Sequence, residues 1–207
     1  MDVHDALHSR RMVRSFDASP LEPEEVIGLF ETSLWAPTAG NARGVSWIVL
    51  VGSGEVTRYF DAATDADWRR RSARAAGLMR ASAIGVCVTD PASYVARYAQ
   101  PDKEASGLGE GPEAWPIPYW IGDAGAATMA ALLLAEERGL AAGFLGAFRN
   151  DEALKGALGI PMGHLLYGAV LLGRPDGADH RSASLGLDGA TRTERVHRGS
   201  LSGSFER

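Results

Sequence analysis

The sequence predicts a single α+β domain, and two kinds of segment and their order support that prediction. Short apolar runs rich in β-branched residues and bounded by turn residues predict buried strands. Longer segments in which apolar residues recur every three or four positions predict helices. The chain lacks repeated βαβ units, so a doubly wound parallel sheet is not expected. With 207 residues, 45% of them hydrophobic and 23% charged, the composition is typical of one globular domain.

The amino-terminal half of the chain is predicted to contain four helices and one strand. A short helix covers Asp2–Ser9, and a second helix begins at Pro23 and ends before Pro37, since proline favours the first turn of a helix and disfavours its interior. Val45–Val51 is an apolar run bounded by glycine and predicts a buried strand. Two more helical stretches fill Glu55–Arg80, and we interpret the arginines there as a solvated charged face.

The carboxyl-terminal half is predicted to contain two strands, two helices and a long loop. In chain order these are a buried strand at Ala83–Val88, a loop with at most one helical turn at Asp90–Pro118, helices at Gly122–Gly139 and Asp151–Gly159, and a buried strand at Leu165–Gly173. A polar, glycine-rich tail covers residues 175–207. Long loops in compact domains are usually binding segments or lids. The helix at 122–139 is apolar on nearly all sides, so protein must surround it, and a subunit interface would do so.

Charge and composition argue against several classes of protein. A net charge of −5 and a pI of about 5.5 argue against a general nucleic-acid binder, which needs clustered positive charge. The longest nearly apolar stretch, residues 124–135, is too short to span a bilayer, and the amino terminus lacks the apolar run of a signal peptide. We therefore expect a cytoplasmic protein without a membrane span. The five histidines and Cys87 show no metal-ligand spacing, so no metal is expected.

Three arginines, Arg10, Arg11 and Arg14, follow the first predicted helix closely. Guanidinium groups this near to one another repel unless an anion neutralises them, and a phosphate matches their geometry. A solvated basic turn is the alternative interpretation. The stretch Ser9–Phe16 resembles the arginine signature with which nitroreductases hold the ribityl phosphate of FMN, with Met12 where a small polar residue is usual.

The segment between the second predicted helix and the first strand, Ala36–Gly44, is rich in turn residues. Its proline and glycines fix an exposed backbone, and its short polar side chains offer donors and acceptors to a polyhydroxylated ligand. A simple helix-to-strand connector is the alternative. The same segment resembles the second nitroreductase signature, a loop that approaches the flavin ring and the ribityl chain. The resemblance assigns cofactor contacts to Pro37, Thr38, Ala39 and Asn41.

A third similarity to the family begins at Asp123 and runs through the apolar helix to Phe148. It resembles the helix at the dimer core and the strand at the flavin edge. The resemblance places the backbone amides of Gly146 and Ala147 near N5 of the flavin, where small residues permit close approach. In the tail, the basic pair that often supports the phosphate is missing, which leaves Arg192 as the substitute.

Residues expected on the substrate side of the flavin differ from the usual family pattern. Arg43 and Gly44 replace a Gln-Pro pair. The long loop ends in Trp115–Trp120, where prolines stiffen an aromatic wall. Ordinary packing of this loop onto the core is the alternative. Because a subgroup of the family has a similar loop, we expect Trp115 and Tyr119, together with Arg43, in the substrate pocket.

The three similarities cover nearly the whole chain and imply a nitroreductase-like fold, with a central, mostly antiparallel sheet flanked by helices, in an intertwined homodimer. The resemblance further implies two FMN sites at the interface, each built from both chains, and NAD(P)H as the reductant. Hydride would pass through the flavin to a small electron acceptor such as a nitroaromatic or a quinone. No catalytic acid or base is assigned, because the cofactor carries the chemistry. A flavin- or deazaflavin-binding protein without turnover, and a flavin-cleaving or dehalogenating relative, are the alternatives.

Overall fold

The computed structural model of the chain describes residues 1–147, 151–179 and 195–201. Within these residues the chain forms eight α-helices and a five-stranded sheet. The helices are α1 (Val3–Ser9), α2 (Pro23–Ser33), α3 (Ser53–Ala63), α4 (Ala66–Arg71), α5 (Ala75–Leu78), α6 (Pro91–Tyr98), α7 (Tyr119–Glu137) and α8 (Asp151–Leu158). The strands are β1 (Phe16–Asp17), β2 (Val45–Val51), β3 (Ala83–Thr89), β4 (Ala141–Gly146) and β5 (Leu165–Pro175). The α+β prediction is confirmed.

Every pair of strands within the described residues is antiparallel. Strands β2, β3 and β5 are neighbours in that order, β4 pairs with the edge of β5 opposite β3, and β1 pairs with the last two residues of β5. The apolar runs predicted as strands coincide with β2, β3 and most of β5, because a strand covered on both faces is apolar throughout. The two-residue β1 carries no such pattern.

Helices cover both faces of the sheet. On one face, Ile84 and Val86 of β3 pack with side chains of α3, α5 and α8. On the other face, Ala83 packs with side chains of α2 and α7, since successive residues of a strand point to opposite faces. A Cβ atom added to Gly85 would lie 2.1 Å from the Phe30 ring. Helix α2 therefore packs directly on the sheet.

The segment predicted as a long loop contains an eight-residue helix, α6. Its start follows ordinary rules, because the Asp90 side chain accepts the N–H of Ala92 and Pro91 occupies the first turn. Prolines and glycines follow the helix within a few residues and obscure its period. Residues 53–78 likewise form three helices rather than the predicted two.

The longest helix, α7, begins at Tyr119, directly after Pro118 and before the predicted start at 122. One side of it is buried against α2 and the sheet. The opposite side carries Ala126, Ala130 and Leu133, which stay partly exposed in the single chain. Within the described residues, no helix combines the length and the apolar character needed to cross a bilayer.

Candidate functional site

The loop that joins α2 to β2 has an unusual backbone. Gly40, Asn41 and Arg43 have φ angles of 59°, 59° and 54°. In the described residues, Asn41 and Arg43 are the only non-glycine residues with positive φ, a conformation that costs roughly 1–3 kcal/mol per residue. Other contacts must therefore hold this loop.

Two contacts within the loop hold Arg43 in its strained conformation. Its backbone N–H donates to Thr38 Oγ1 at 3.2 Å, and its Nε donates to Asn41 Oδ1 at 3.1 Å. The two terminal nitrogens of this guanidinium have no partner in the part of the chain that the structure describes. They remain available to a ligand.

Helices α6 and α7 hold the loop from outside. The backbone N–H of Ala39 donates to the Asp123 carboxylate of α7 at 2.8 Å. The Tyr94 hydroxyl of α6 donates to the same carboxylate oxygen at 2.9 Å, and Arg97 Nε donates to the Gly40 carbonyl at 2.8 Å. Sequence reasoning gave these three side chains no role, although an Asp-Pro pair signals the start of the helix that carries two of them.

The same loop lines a cavity of about 580 Å³, which we call the loop cavity. Thr38, Asn41 and Arg43 contribute polar groups to it, and Trp35 and Pro37 contribute apolar surface. Trp35 is 89% exposed, although an indole of this size is normally buried for most of its surface. The residues that the second signature assigns to the cofactor thus largely share one open surface.

The stretch Ser9–Phe16, which we call the arginine segment, runs beside β4. The backbone N–H of Val13 donates to the carbonyl of Ala142 at 2.8 Å. Arg10 and Arg11 line a cavity of about 270 Å³ against α7 and β4, which we call the arginine cavity. The Nε atom of Arg10 is buried and has no hydrogen-bond partner among the described residues. A buried donor of a charged group without a partner is costly, so Arg10 Nε favours a nearby acceptor atom.

Arg14 is anchored through its backbone. Its N–H donates to the Asp179 carboxylate at 2.8 Å, and one terminal nitrogen of its guanidinium donates to the Met12 carbonyl at 3.0 Å. The other N–H groups of the guanidinium have no partner within residues 1–147, 151–179 and 195–201. Arg14 therefore keeps donors for a ligand.

The start of the tail is tied to the same segment. The Asp176 carboxylate accepts hydrogen bonds from the Ser15 hydroxyl and, at 2.8 Å, from Arg80. Arg80 Nε also donates to the Phe16 carbonyl at 2.8 Å. The Ser15 hydroxyl, followed by a backbone N–H and the Arg80 guanidinium, lowers the pKa of Asp176. An ionised carboxylate thus ties the end of β5 to the arginine segment.

Gly146 and Ala147, at the end of β4, line a third cavity of about 470 Å³. We call it the aromatic cavity, because Tyr59, Phe60 and Trp68 form much of its wall. Burial raises the pKa of Tyr59 to about 12, so its hydroxyl is uncharged near neutral pH. The small residues at 146 and 147 permit a flat ligand to approach the backbone.

The loop, arginine and aromatic cavities share no lining residue within one chain. Helix α7 connects the loop cavity, which Asp123 lines, to the arginine cavity, which Leu132 lines. Strand β4 connects the arginine cavity, through Ala142, to the aromatic cavity, through Gly146. Within one chain, therefore, Arg10 and Arg11 line one cavity, Pro37, Thr38 and Asn41 a second, and Gly146 and Ala147 a third, whereas Arg14 and Ala39 line none of the three.

Two of the three residues expected in the substrate pocket, Trp115 and Tyr119, lie together, with their rings edge to face and the ring centroids 6.2 Å apart. Trp115 is only 6% exposed, and its indole N–H donates to the Leu108 carbonyl at 2.8 Å within a cluster of aromatic side chains. Tyr119 is exposed at the start of α7, and Arg43 lines the loop cavity. Arg192 lies outside the described residues. The cofactor and substrate assignments of these residues stay predictions.

The chain is similar to known proteins over almost its full length. The profile of the Nitroreductase family matches residues 7–174. A protein of Archaeoglobus fulgidus, provisionally named NADH dehydrogenase/NAD(P)H nitroreductase, is 26% identical over 196 residues, which cover 93% of this chain and 94% of that protein.

Solved structures show the same fold. A nitroreductase family protein from Clostridium difficile 630 has a TM-score of 0.68 at 17% identity, covering 97% of this chain and 100% of that one. An FMN-dependent nitroreductase from Clostridium difficile R20291 has a TM-score of 0.65 at 18% identity, covering 96% of this chain and 99% of that one.

Proposed function

The chain belongs to the nitroreductase family, whose profile matches residues 7–174, and from this membership we propose that it is an FMN-dependent oxidoreductase that takes hydride from NAD(P)H. Its acceptor would be a small molecule such as a nitroaromatic or a quinone. The names of its relatives support the proposal, since one refers to NAD(P)H nitroreductase and another to FMN. The observation that carries it is the buried, unpartnered Nε of Arg10 beside Arg11.

The arginine segment fits the phosphate of FMN. A phosphate would give Arg10 Nε the acceptor that the described residues do not provide. We infer that Arg14 is a further ligand of the same anion, because its guanidinium keeps N–H groups without a partner among the described residues. Guanidinium groups bind phosphate through two parallel hydrogen bonds, so a few well-placed arginines suffice.

The loop fits the flavin ring and its ribityl chain. Thr38 and Asn41 offer short polar side chains at the loop cavity, and both can donate and accept hydrogen bonds to hydroxyl groups. The free terminal nitrogens of Arg43 would lie on the acceptor side. They would favour an electron acceptor that carries a nitro, quinone or carboxylate oxygen, because such oxygens accept hydrogen bonds.

Bound FMN would supply the redox chemistry, because a flavin ring accepts hydride and passes it on. The chain's own part would be binding, orientation and electrostatics. Gly146 and Ala147 would offer backbone N–H groups to the flavin edge, and donors fixed in advance stabilise developing negative charge. The aromatic wall of the third cavity would exclude water from this edge. We assign no side chain as an acid or a base.

We infer that the working form is a homodimer. The outer side of α7, with Ala126, Ala130 and Leu133, leaves apolar surface partly exposed in one chain, and obligate dimer interfaces resemble a divided core. The separation of the cavities supports the same inference. A second copy could bring the loop cavity of one chain next to the arginine and aromatic cavities of the other.

The test starts with the purified protein. It should be yellow, with a flavin absorption spectrum, and the cofactor released by denaturation should co-elute with FMN in chromatography. NADH or NADPH should be oxidised when menadione or a nitroaromatic is added. FAD in place of FMN, or no binding of FMN at micromolar concentration, would contradict the proposal. A yellow protein that oxidises neither nucleotide would instead be a flavin-binding protein without turnover.

A further inference from the structure

We propose that Tyr94, Arg97 and Asp123 are positioning residues that hold the loop at 38–43 ready to receive the flavin. We call these three side chains the loop clamp. The inference rests on the proposed function, because the ligand of the loop is taken to be FMN. Arg97 acts on the loop backbone and Tyr94 acts on Asp123, and neither lines the loop cavity, whereas Asp123 both holds Ala39 and lines that cavity.

The first step is that the loop needs support from outside. Three of its residues have left-handed backbones, and Asn41 and Arg43 have no glycine-like freedom to relieve the strain. Besides backbone hydrogen bonds from the Asn41 N–H to the Thr38 carbonyl and from the Ala42 N–H to the Ala39 carbonyl, the loop has two internal hydrogen bonds that involve a side chain, and both come from Arg43. They fix the end of the loop but leave its first residues, Ala39 and Gly40, without an internal side-chain contact.

The second step is that Asp123 supplies support at Ala39. One carboxylate oxygen accepts both the Ala39 N–H and the Tyr94 hydroxyl, at 2.8 Å and 2.9 Å. Tyr94 has 0% exposure and packs edge-on against Trp115 and Trp120. This packing fixes the position of the Tyr94 ring, and the hydrogen bond from its hydroxyl therefore fixes the position of the Asp123 carboxylate. Burial, together with the neighbouring carboxylate, raises the pKa of Tyr94, so its hydroxyl stays a donor.

The third step is that Arg97 supplies support at Gly40. Its Nε donates to the Gly40 carbonyl at 2.8 Å. Its two terminal nitrogens each donate to one oxygen of Asp102, at 2.8 Å and 2.7 Å. The two-point contact fixes the plane of the guanidinium. A Cβ atom at Gly40 would lie 2.6 Å from the Tyr98 ring, so α6 also covers the loop by close packing.

The consequence of the clamp is preorganisation. A loop that is already held in its binding conformation loses less entropy when the ligand binds. Loss of a clamp contact should therefore weaken FMN binding and loosen the loop even in the absence of flavin. It should leave the global fold intact where the side chain is partly exposed, as it is for Arg97.

The experiment compares Asp123→Ala, Asp123→Asn, Tyr94→Phe and Arg97→Ala with the wild type. The matched control is Arg138→Ala, because Arg138 also donates from its guanidinium to a backbone carbonyl, that of Glu25, at 2.8 Å. Hydrogen exchange of peptides covering 38–43 is measured on flavin-free protein. The dissociation constant for FMN is then measured by quenching of flavin fluorescence, and the melting temperature is recorded for each variant.

We expect Asp123→Ala and Arg97→Ala to exchange faster in the loop and to bind FMN about tenfold more weakly. Asp123→Asn should recover most of both, since one amide oxygen can accept both hydrogen bonds. Tyr94→Phe should give a smaller loss, because the Ala39 contact survives. Arg138→Ala should behave like the wild type in both measurements.

Two results would overturn the clamp. One is unchanged loop exchange in Arg97→Ala and Asp123→Ala, and the other is faster exchange with unchanged FMN affinity. If Asp123→Ala does not fold, Arg97→Ala decides the question, since its side chain lies near the surface. A wild-type protein that binds no FMN would overturn the proposed function, whereas the exchange rates, which need no flavin, would still support or overturn the clamp.

Discussion

The backbone N–H of Arg14 donates a hydrogen bond to the carboxylate of Asp179, which lies 2.8 Å away and 165 positions later in the chain. This contact fixes the arginine segment through its backbone. The Arg14 guanidinium makes a single further contact among the described residues, to the Met12 carbonyl. The backbone is therefore held by the protein while most of the charged group remains available.

Replacement of Arg14 by alanine should yield a folded but colourless protein. Loss of a hydrogen bond to an ionised group costs about 1.5–3 kcal/mol, which corresponds to roughly a ten- to hundredfold loss of FMN affinity. Arg14→Lys should recover only part of that affinity, because an ammonium cannot make the planar two-point contact. Titration of flavin fluorescence against each flavin-free variant measures both effects.

The control for Arg14 is Arg58→Ala, because Arg58 is an exposed arginine whose one ion pair among the described residues is with the nearby Glu55. Circular dichroism should show that all three variants keep their secondary structure. If Arg14→Ala binds FMN as tightly as Arg58→Ala does, the arginine segment is a solvated basic turn and the phosphate site is wrong.

Replacement of Gly143 by alanine should disturb the arginine segment from β4. The new Cβ atom would lie 2.2 Å from the Val13 carbonyl oxygen, so the segment would have to move and its hydrogen bond to Ala142 would weaken. We expect both weaker FMN binding and a lower melting temperature, since overpacking typically costs about 1–3 kcal/mol. Gly28→Ala is the control, because open space surrounds Gly28. If Gly143→Ala and Gly28→Ala have the same FMN affinity and melting temperature, the arginine segment moves without loss of binding or stability, and the prediction is wrong.

Arginine substitutions on the two sides of α7 should have different outcomes. Ala131 has 0% exposure and faces the chain's own core, so Ala131→Arg should unfold the protein, because an unpaired buried charge costs several kcal/mol. Ala126 is partly exposed on the opposite side. Ala126→Arg should stay folded and sediment as a monomer of 22.0 kDa. A wild-type chain that sediments as a flavin-loaded monomer would refute the dimer.

The contact between Asp176 and the arginine segment should depend on pH in the acid range. The folded state lowers the pKa of Asp176 from its ordinary value of 3.8. Its stabilisation is thus fully present above about that value and is lost as the pH falls through the lowered pKa. Urea unfolding of the wild type and of Asp176→Asn, at several pH values from 6 to about 2.5, measures the difference. The gap between the two proteins should shrink below about pH 4, and a gap independent of pH would contradict the assignment.

Much of the fold could be predicted from local patterns in the sequence. The apolar runs at 45–51, 83–88 and 165–173 form β2, β3 and most of β5, because strands covered on both faces of a sheet consist mainly of apolar residues. Helix α6 could not be found by periodicity, since only Tyr94 of its residues is buried. The Asp-Pro pair at its start was the sequence feature that could have predicted this helix.

The contacts that shape the candidate site could not be predicted in the same way. Asp123 contacts Ala39, which lies 84 positions earlier in the sequence, and Tyr94, which lies 29 positions earlier. No local sequence pattern predicts such contacts. The resemblance supplied the residues of the arginine segment and the loop, but it did not supply the side chains that hold them. Those depend on how α6 and α7 pack, which only the tertiary structure shows.

Helix α7 carries Asp123 at the loop cavity and Leu132 at the arginine cavity, and this fixes how the chain can change in length. The two positions lie nine residues apart, about 14 Å along the axis. Insertion or deletion of one residue between them would rotate one end by about 100° relative to the other. Both cavities would be misaligned at once, so the number of residues between these two positions should be fixed.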